Sequence, residues 1–375
     1  MRTSVRALLD WIERFNLIAG SVGGALSFDA GYGGAVVGTE DNATTGSFMG
    51  QTYETETVAT TPEEMMADFE ALVGEEVRLF VILAEAPELL ALADAAPEGA
   101  ILFNARSGAV ALRSEDCRAN PFHTAPSVAM RADAVAQFLV WKQWTDWYLI
   151  GGSNPADTAL TEAYRNAAAK FGAEVVEERT YEDTGGSRVS DSGHVLVQRQ
   201  LPVFTQDAAE HDVVVAADAS DVFAEYLPYN TWSPAPVAGS AGLRPVTWAP
   251  THESWGATQM QTRFEKAAGR AMTDEDYQVW LALRVIGEAV TRTGSADPAA
   301  LRDYMLGDAF ELAAFKGVPV TFRAWNGQLR QPILLSNGRM TISVSPQDGF
   351  LHQRSPLDTL GLDAPESGCT AFGGE

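Results

Sequence analysis

The sequence predicts an α/β protein of two lobes, each a parallel sheet with helices on both faces, joined by several crossovers. Three observations lead there. From about residue 55 onward, short apolar runs rich in β-branched residues alternate with helical patterns, as in sheets built by βαβ units. The chain has 375 residues, and at roughly 150 residues per domain that suggests two or three units. Its order also matters: one α/β set follows another, then come helices, then only strands, as expected if the chain crosses between lobes more than once.

The apolar runs at 78–84 (RLFVILA), 100–104 (AILFN), 147–151 (WYLIG), 174–179 (EVVEER), 212–217 (DVVVAA) and 236–239 (PVAG) are the expected strands. Most are nearly uniformly apolar, which marks strands buried on both faces. Residues 129–144 and 155–171 read as helices; Asn154 caps the second, Pro155 occupies its first position and Gly172 closes it. A long helical stretch at 258–294 breaks near Gly269, and Ser295, Asp297 and Pro298 open a shorter helix. Strands at 318–324 and 332–336 follow, separated by a turn at Asn326 and Gly327. Residues 1–32 show no clear strand: Arg2 and Arg6 precede an apolar run at 17–26, a faint likeness to a secretory signal that Asp10, Glu13 and the glycines weaken.

Composition narrows the function. Hydrophobic residues at 46% and charged residues at 20% exclude a mainly disordered chain. Fifty acids against 26 bases give a formal charge of −24, so nucleic acid and anionic membrane surfaces are repelled as partners. No apolar stretch reaches the ~20 residues of a membrane helix, so direct insertion is not expected. Two cysteines, Cys117 and Cys369, are too few for a zinc ribbon or a disulfide scaffold. One bridge pinning the C-terminal tail and two unpaired thiols both remain open.

Tests for catalytic constellations fail. Neither 151–155 (GGSNP) nor 238–242 (AGSAG) is a nucleophile elbow. Gly31, Gly33 and Gly34 lack a preceding strand and the spacing of a phosphate cradle, and His252-Glu253 is not followed by the second His of a zinc protease. The segment 183–194 (DTGGSRVSDSGH) matches no calcium loop and reads as a polar surface loop. No enzyme activity and no cofactor are expected. What stands out is aromatic density from Tyr226 to Trp255, including Tyr229, Trp232 and Trp248, among prolines. That pattern suits a pocket for a small, partly apolar ligand, or else core packing.

Several segments carry a family resemblance. They are 34–50 with EDNATTGSFMG, His123-Thr124-Ala125-Pro126-Ser127, the strand-loop-helix 147–176, the helix from Tyr277 leading to Gly294-Ser295-Ala296-Asp297-Pro298, and the closing hairpin from Phe315 to Pro332. In order and wording the chain resembles the type I periplasmic binding proteins of branched-chain amino-acid-type ABC transporters. The phrases EDCRANPFHTAPS, EYLPYNTW, WGATQMQTRFE and FKGVPVTFRAWNGQLRQPILL are similar to a branch associated with PQQ-dependent alcohol dehydrogenase systems.

The resemblance implies two Rossmann-like lobes with a ligand cleft between them. Lobe one is expected at 33–124 plus 253–314 and lobe two at 125–252 plus 315–355, with an atypical segment at 1–32 and a tail at 356–375. It implies a periplasmic solute-binding component that captures a small molecule by lobe closure and presents it to an ABC permease. A ligand-sensing module acting on a separate receptor is the alternative. A periplasmic home would also permit the Cys117–Cys369 bridge.

Ligands of open α/β sheets bind beyond the carboxyl ends of strands. The expected site residues are therefore Glu85, Asn104, Arg106 and Ser107 on lobe one, and Ser153, Asn154, Asp218, Ser240 and Trp248 on lobe two. Glu85 and Asp218 would accept from hydroxyls or hold a cation, Asn104 and the serines would give neutral hydrogen bonds, and Trp248 would stack. Two departures weigh against a free amino acid. Ala84-Glu85-Ala86-Pro87 lacks the family's carboxylate-binding Ser, and Gly239-Ser240-Ala241-Gly242 lacks the acid that meets an ammonium group.

Overall fold

The computed structural model describes residues 2–10, 29–183 and 191–373, with side chains from 29–183 and 197–373. Its first sheet is parallel, with β1 (Arg2–Asp10), β2 (Thr52–Thr60), β3 (Leu79–Leu83), β4 (Ile101–Asn104) and β5 (Pro121–His123) in the order β2-β1-β3-β4-β5. Strand β1 corrects the expectation for the N-terminus. It pairs with β2 from Arg2↔Thr52 to Asp10↔Thr60 and with β3 from Arg6↔Phe80 to Leu9↔Leu83. Arg2, Arg6 and Asp10 interrupt its apolar residues, so it lacks the uniform run by which the other inner strands were read. The run at 17–26 lies outside the described residues.

Helices α1 (Tyr32–Met49), α2 (Met65–Gly74) and α3 (Ala86–Ala95) connect these strands. Gly34 explains why α1 begins with glycines. A Cβ there would fall 2.0 Å from the carbonyl oxygen of Asp276, so only glycine allows α1 so close to the later helix that carries Asp276. The buried Asp276 carboxylate accepts the Gly31 N–H at 2.8 Å and fixes where α1 starts.

After α4 (Val128–Trp141), the second parallel sheet runs β7-β6-β8-β9, from β6 (Asp146–Gly152), β7 (Glu174–Tyr181), β8 (Val213–Ala217) and β9 (Val237–Gly239). Its connections are α5 (Pro155–Phe171), α6 (Asp191–Phe204) and the short α7 (Leu227–Asn230). The expected loop at 183–194 is shortened by α6, which begins at Asp191; residues 184–190 lie outside the described ones. Strand β10 (Arg244–Val246) leads to α8 (Ala257–Ala268), α9 (Asp274–Thr293) and α10 (Pro298–Leu306). The remaining strands are β11 (Thr321–Phe322), β12 (Leu329–Arg330), β13 (Ile333–Ser336) and β14 (Thr341–Ser345). β11 and β12 form a hairpin, and β10-β13-β14 make a small antiparallel sheet.

Each sheet has its own core, and before the C-terminal tail, which returns from Leu360 in the second core to Phe372 against the first, the chain passes between cores three times. Phe122 belongs to the first core and Met130 to the second. Ala238 and the partly buried Leu243 pack in the second, whereas Trp248 and Ala257 are back in the first. Leu329 lies in the first and Ile333 in the second. Two expected boundaries therefore move: the return crossing falls before Trp248 rather than at 252/253, and the last falls between Leu329 and Ile333 rather than at 314/315. Val320, Phe322 and Leu329 fill the first core, so the closing hairpin completes that core before the chain leaves it. Cys117 and Cys369 form a disulfide with a Cα separation of 5.5 Å, holding the tail against the first lobe.

Candidate functional site

The carboxyl ends of β3, β4, β6, β8 and β9 carry the residues expected to meet a ligand. At the end of β3, Glu85 is exposed and occupies the cap position of α3. Its carboxylate lies 3.1 Å from Nε of Arg106, whose side chain is largely buried. The pair places one carboxylate and one guanidinium side by side beyond the ends of β3 and β4.

Asn104, at the end of β4, does not act as expected. It is fully buried, and its Nδ2 donates to the Ser107 carbonyl at 2.8 Å while its Oδ1 accepts the N–H groups of Arg106 (3.2 Å) and Ser107 (2.8 Å). The same Nδ2 is 3.0 Å from Nδ1 of the buried His123. Asn104 thus shapes the loop that presents Arg106, and Ser107 is buried within that loop. Burial and the nearby Arg113 guanidinium hold the His123 imidazole well below its ordinary pKa, which favours the neutral ring.

Sequence reasoning missed Arg113. Its guanidinium, 2% exposed, donates to the carbonyls of Ser107, Ala109 and Ala125 at 2.9, 2.9 and 2.7 Å and to Oε1 of Gln328 at 2.8 Å. It ties the β4 loop to the first and third crossings. Burial lowers its pKa to about 9. No local motif signals this role, because its partner Gln328 is 215 positions away.

On the second lobe, β6 ends in Gly151 and Gly152, and a Cβ on Gly152 would meet Asp157 Oδ2 at 2.3 Å. This close approach brings the start of α5 onto the strand end. Asn154 caps that helix: its N–H donates to Asp157 Oδ2 at 3.2 Å and its Nδ2 to Asp183 at 3.4 Å. The exposed Ser153 accepts the Asp183 N–H at 2.9 Å. Asp157 was also missed; fully buried, it accepts the Ser220 N–H at 2.8 Å and so links the β6 and β8 loops.

Asp218 and Ser240 are brought together, with Ser240 Oγ accepting the Asp218 N–H at 2.9 Å. The Asp218 carboxylate is turned inward rather than toward a cation. It accepts the N–H groups of Val222, Phe223 and Ala224 at 2.8, 2.7 and 2.7 Å, and burial raises its pKa. Trp248 is likewise corrected. It is 3% exposed, stacks on Tyr277 at 5.2 Å and donates its Nε1–H to Gln261 at 2.8 Å, all within the first core. Tyr229, Trp232 and Trp255 of the same aromatic stretch remain exposed.

Buried polar atoms without a partner gather at the crossings: Oγ1 of Thr247 and of Thr251, Nε2 of His252, both amide atoms of Gln278 and Oε1 of Gln331. Lys316 is buried beside them and donates to the Thr247 carbonyl; burial lowers its pKa to about 7. Where such groups stay unpaired they cost about 1–3 kcal/mol each. Among the described residues, no group of three or more His, Cys, Asp or Glu is placed to hold a metal ion. No helix among them is long and apolar enough to cross a membrane.

Residues 19–200 match the model of a family described as periplasmic binding protein. No curated protein matches the sequence. Solved structures share the fold across nearly the whole chain. A branched-chain amino acid ABC transporter periplasmic ligand-binding protein from Burkholderia xenovorans superposes with TM-score 0.74 at 13% identity, covering 99% of this chain and 100% of that one. The leucine-, isoleucine-, valine-, threonine- and alanine-binding protein from Brucella ovis, in its closed conformation, gives 0.69 at 14% identity over 89% of each chain. An ABC transporter solute-binding protein from R. palustris in complex with benzoate gives 0.66 at 13% identity, covering 99% and 100%. The chain has the periplasmic binding protein fold, α/β with parallel sheets.

Proposed function

We propose, starting from that fold, that this chain is the solute-binding component of an ABC transporter, captures a small molecule between its lobes in the periplasm and delivers it to a membrane permease. The observation that carries this reading is the construction of the molecule: two independently cored parallel sheets joined by three passages of chain whose buried polar groups are incompletely paired. Such a joint suits hinge closure around a ligand, and open α/β sheets bind at the carboxyl ends of their strands.

The bound solute meets Glu85 and Arg106 from one lobe and Ser153 and Asn154 from the other. Asn104, Ser107, Asp218 and Ser240 position those loops. The names of fold relatives cover amino acids and benzoate, so the fold accepts zwitterions and aromatic acids alike. Here the 84–87 and 239–242 turns lack the Ser and the acid that would hold a zwitterion, and losing a charged hydrogen bond costs about 1.5–3 kcal/mol. A free amino acid is therefore disfavoured. The likeness to the branch beside PQQ-dependent alcohol dehydrogenases supports a solute from alcohol oxidation, an alcohol, aldehyde or short carboxylate.

A thermal-shift screen against short alcohols, aldehydes, carboxylates, branched-chain amino acids, PQQ and calcium or lanthanide ions tests this, because a ligand of the native state raises its apparent stability. Stabilisation by an alcohol-pathway compound, lost in Arg106→Ala, is expected. Stabilisation by leucine or valine would overturn the solute class, and co-purification with a histidine kinase rather than a permease would overturn the delivery role.

A further inference from the structure

A cavity of about 720 Å³ is lined by none of the strand-end residues. Its walls come from both halves of the molecule. Phe310 and Phe322 belong to the first core. Val344 and Ser345 lie on β14, which pairs with β13 of the second core. Arg330 and Pro332, from the third crossing, also line it. The volume is within the ~300–1,000 Å³ of small-molecule sites.

The charge beside it is unbalanced. Arg323 and Arg330 both donate their Nε–H to Asp358 Oδ1, at 3.0 and 2.7 Å, and all three side chains are at most 8% exposed. Two buried cations thus share one buried anion. Arg323 spends its remaining N–H groups on the carbonyls of Leu357, Leu360 and Leu362. Arg330 donates from Nη1 to Thr321 Oγ1 at 3.3 Å and to the Phe322 carbonyl, while its Nη2 has no acceptor among the described residues. Asp358 Oδ2 also lacks a partner, but Asp358 does not line the cavity. The acids that do, Asp308, Glu311 and Asp348, are exposed. Solvent and salt screen such rim charges, whereas a buried guanidinium acts through a lower dielectric.

We propose that this cavity is a second ligand site, for a small carboxylate with an apolar body. Its acid group takes the open donor of Arg330, and its body lies against Phe310, Phe322, Pro332 and Val344. Because the walls belong to both lobes, an occupant bridges them at the third crossing. The proposal stands apart from the cleft and does not depend on what the cleft binds.

Isothermal titration of the full chain carrying Ser153→Trp, a substitution that fills the proposed cleft, with sodium hexanoate tests it, with 1-hexanol as the neutral counterpart. Hexanoate is expected to bind, with hexanol at least ~10-fold weaker. Val344→Trp, which fills the apolar end without touching a charge, and Arg330→Gln should each weaken hexanoate by at least ~10-fold. Circular dichroism confirms that each variant is folded. The Ser153→Trp background removes binding of these compounds in the proposed cleft, so the remaining heat reports the second cavity. Absence of hexanoate binding, equal binding of hexanol, or hexanoate binding that survives Val344→Trp would overturn the proposal.

Discussion

Arg113 donates its Nε–H to Oε1 of Gln328 at 2.8 Å, joining the loop after β4 to the last crossing between the lobes. The same guanidinium satisfies three backbone carbonyls and has no carboxylate partner among these contacts. Its removal takes the donor from Oε1 of Gln328 and from the Ala109 carbonyl, while the carbonyls of Ser107 and Ala125 keep donors in Asn104 and Gln328. At about 1–3 kcal/mol for each group left unsatisfied, Arg113→Ala should destabilise the protein by at least ~2 kcal/mol, measured by urea unfolding. Arg113→Lys, which keeps the charge but loses the planar fork, should recover only part of that. A loss below ~1 kcal/mol in the alanine variant would show that the loop and crossing are held by other contacts.

Lys316 sets a pH dependence of the same sign as that of an ion-paired carboxylate, but in a neutral-to-alkaline window. In the folded chain its pKa is lowered from 10.5 to about 7 by burial. Below pH 7 both folded and unfolded chains carry the proton, and the cost of burying the charge is fully present. Between about pH 7 and 10 the unfolded chain binds more protons, so this group's contribution raises stability as pH rises, by up to ~5 kcal/mol. Lys316→Met should flatten the slope of unfolding free energy between about pH 7 and 9.5. An unchanged slope would show that the ammonium reaches solvent in the folded state.

The inner strands were legible because a strand buried on both faces must be apolar along its length; 78–84 and 212–217 state this in their composition. Strand β1 was not, because its arginines at positions 2 and 6 resemble the start of a signal sequence and its place between β2 and β3 is decided by distant pairing. Strand ends supplied the candidate residues, but composition could not say where each side chain points. Asn104 and Asp218 have backbone N–H groups within a few residues, and these captured their oxygens. Trp248 sits in a proline-rich stretch that suggested a pocket, yet its ring is claimed by Tyr277 on α9, a partner no local pattern reveals.

Gln278 offers a test of the incompletely paired hinge. Both polar atoms of its side chain are buried without a partner, and the residue is 2% exposed on α9. Replacing an unsatisfied polar group by an apolar one of similar volume is neutral or stabilising. Gln278→Met should therefore raise stability by about 1–2 kcal/mol in urea unfolding. A destabilisation above ~1 kcal/mol would mean that an ordered water satisfies the amide, in which case the hinge is better paired than the protein atoms alone indicate.

The Cys117–Cys369 bridge closes a loop spanning a sequence separation of 252. Long loops carry the largest entropic gain from closure, with typical disulfides worth about 2–4 kcal/mol. Other contacts also hold the tail: Phe372 packs edge-on against Phe122 at 5.8 Å, Arg302 lies 4.9 Å from the Phe372 ring, and Ser367 Oγ donates to the Arg113 carbonyl at 2.7 Å. These contacts keep the tail docked in part when the bond is absent, so the cost should fall at the lower end. Cys369→Ser is expected to lose about 2 kcal/mol and to match the wild type measured in reductant. Alkylation of the unreduced, denatured wild-type protein should add no label. Two labels per chain would remove the bridge from the structure, and a full-strength bridge with no stability difference on reduction would mean that the tail detaches before the lobes unfold.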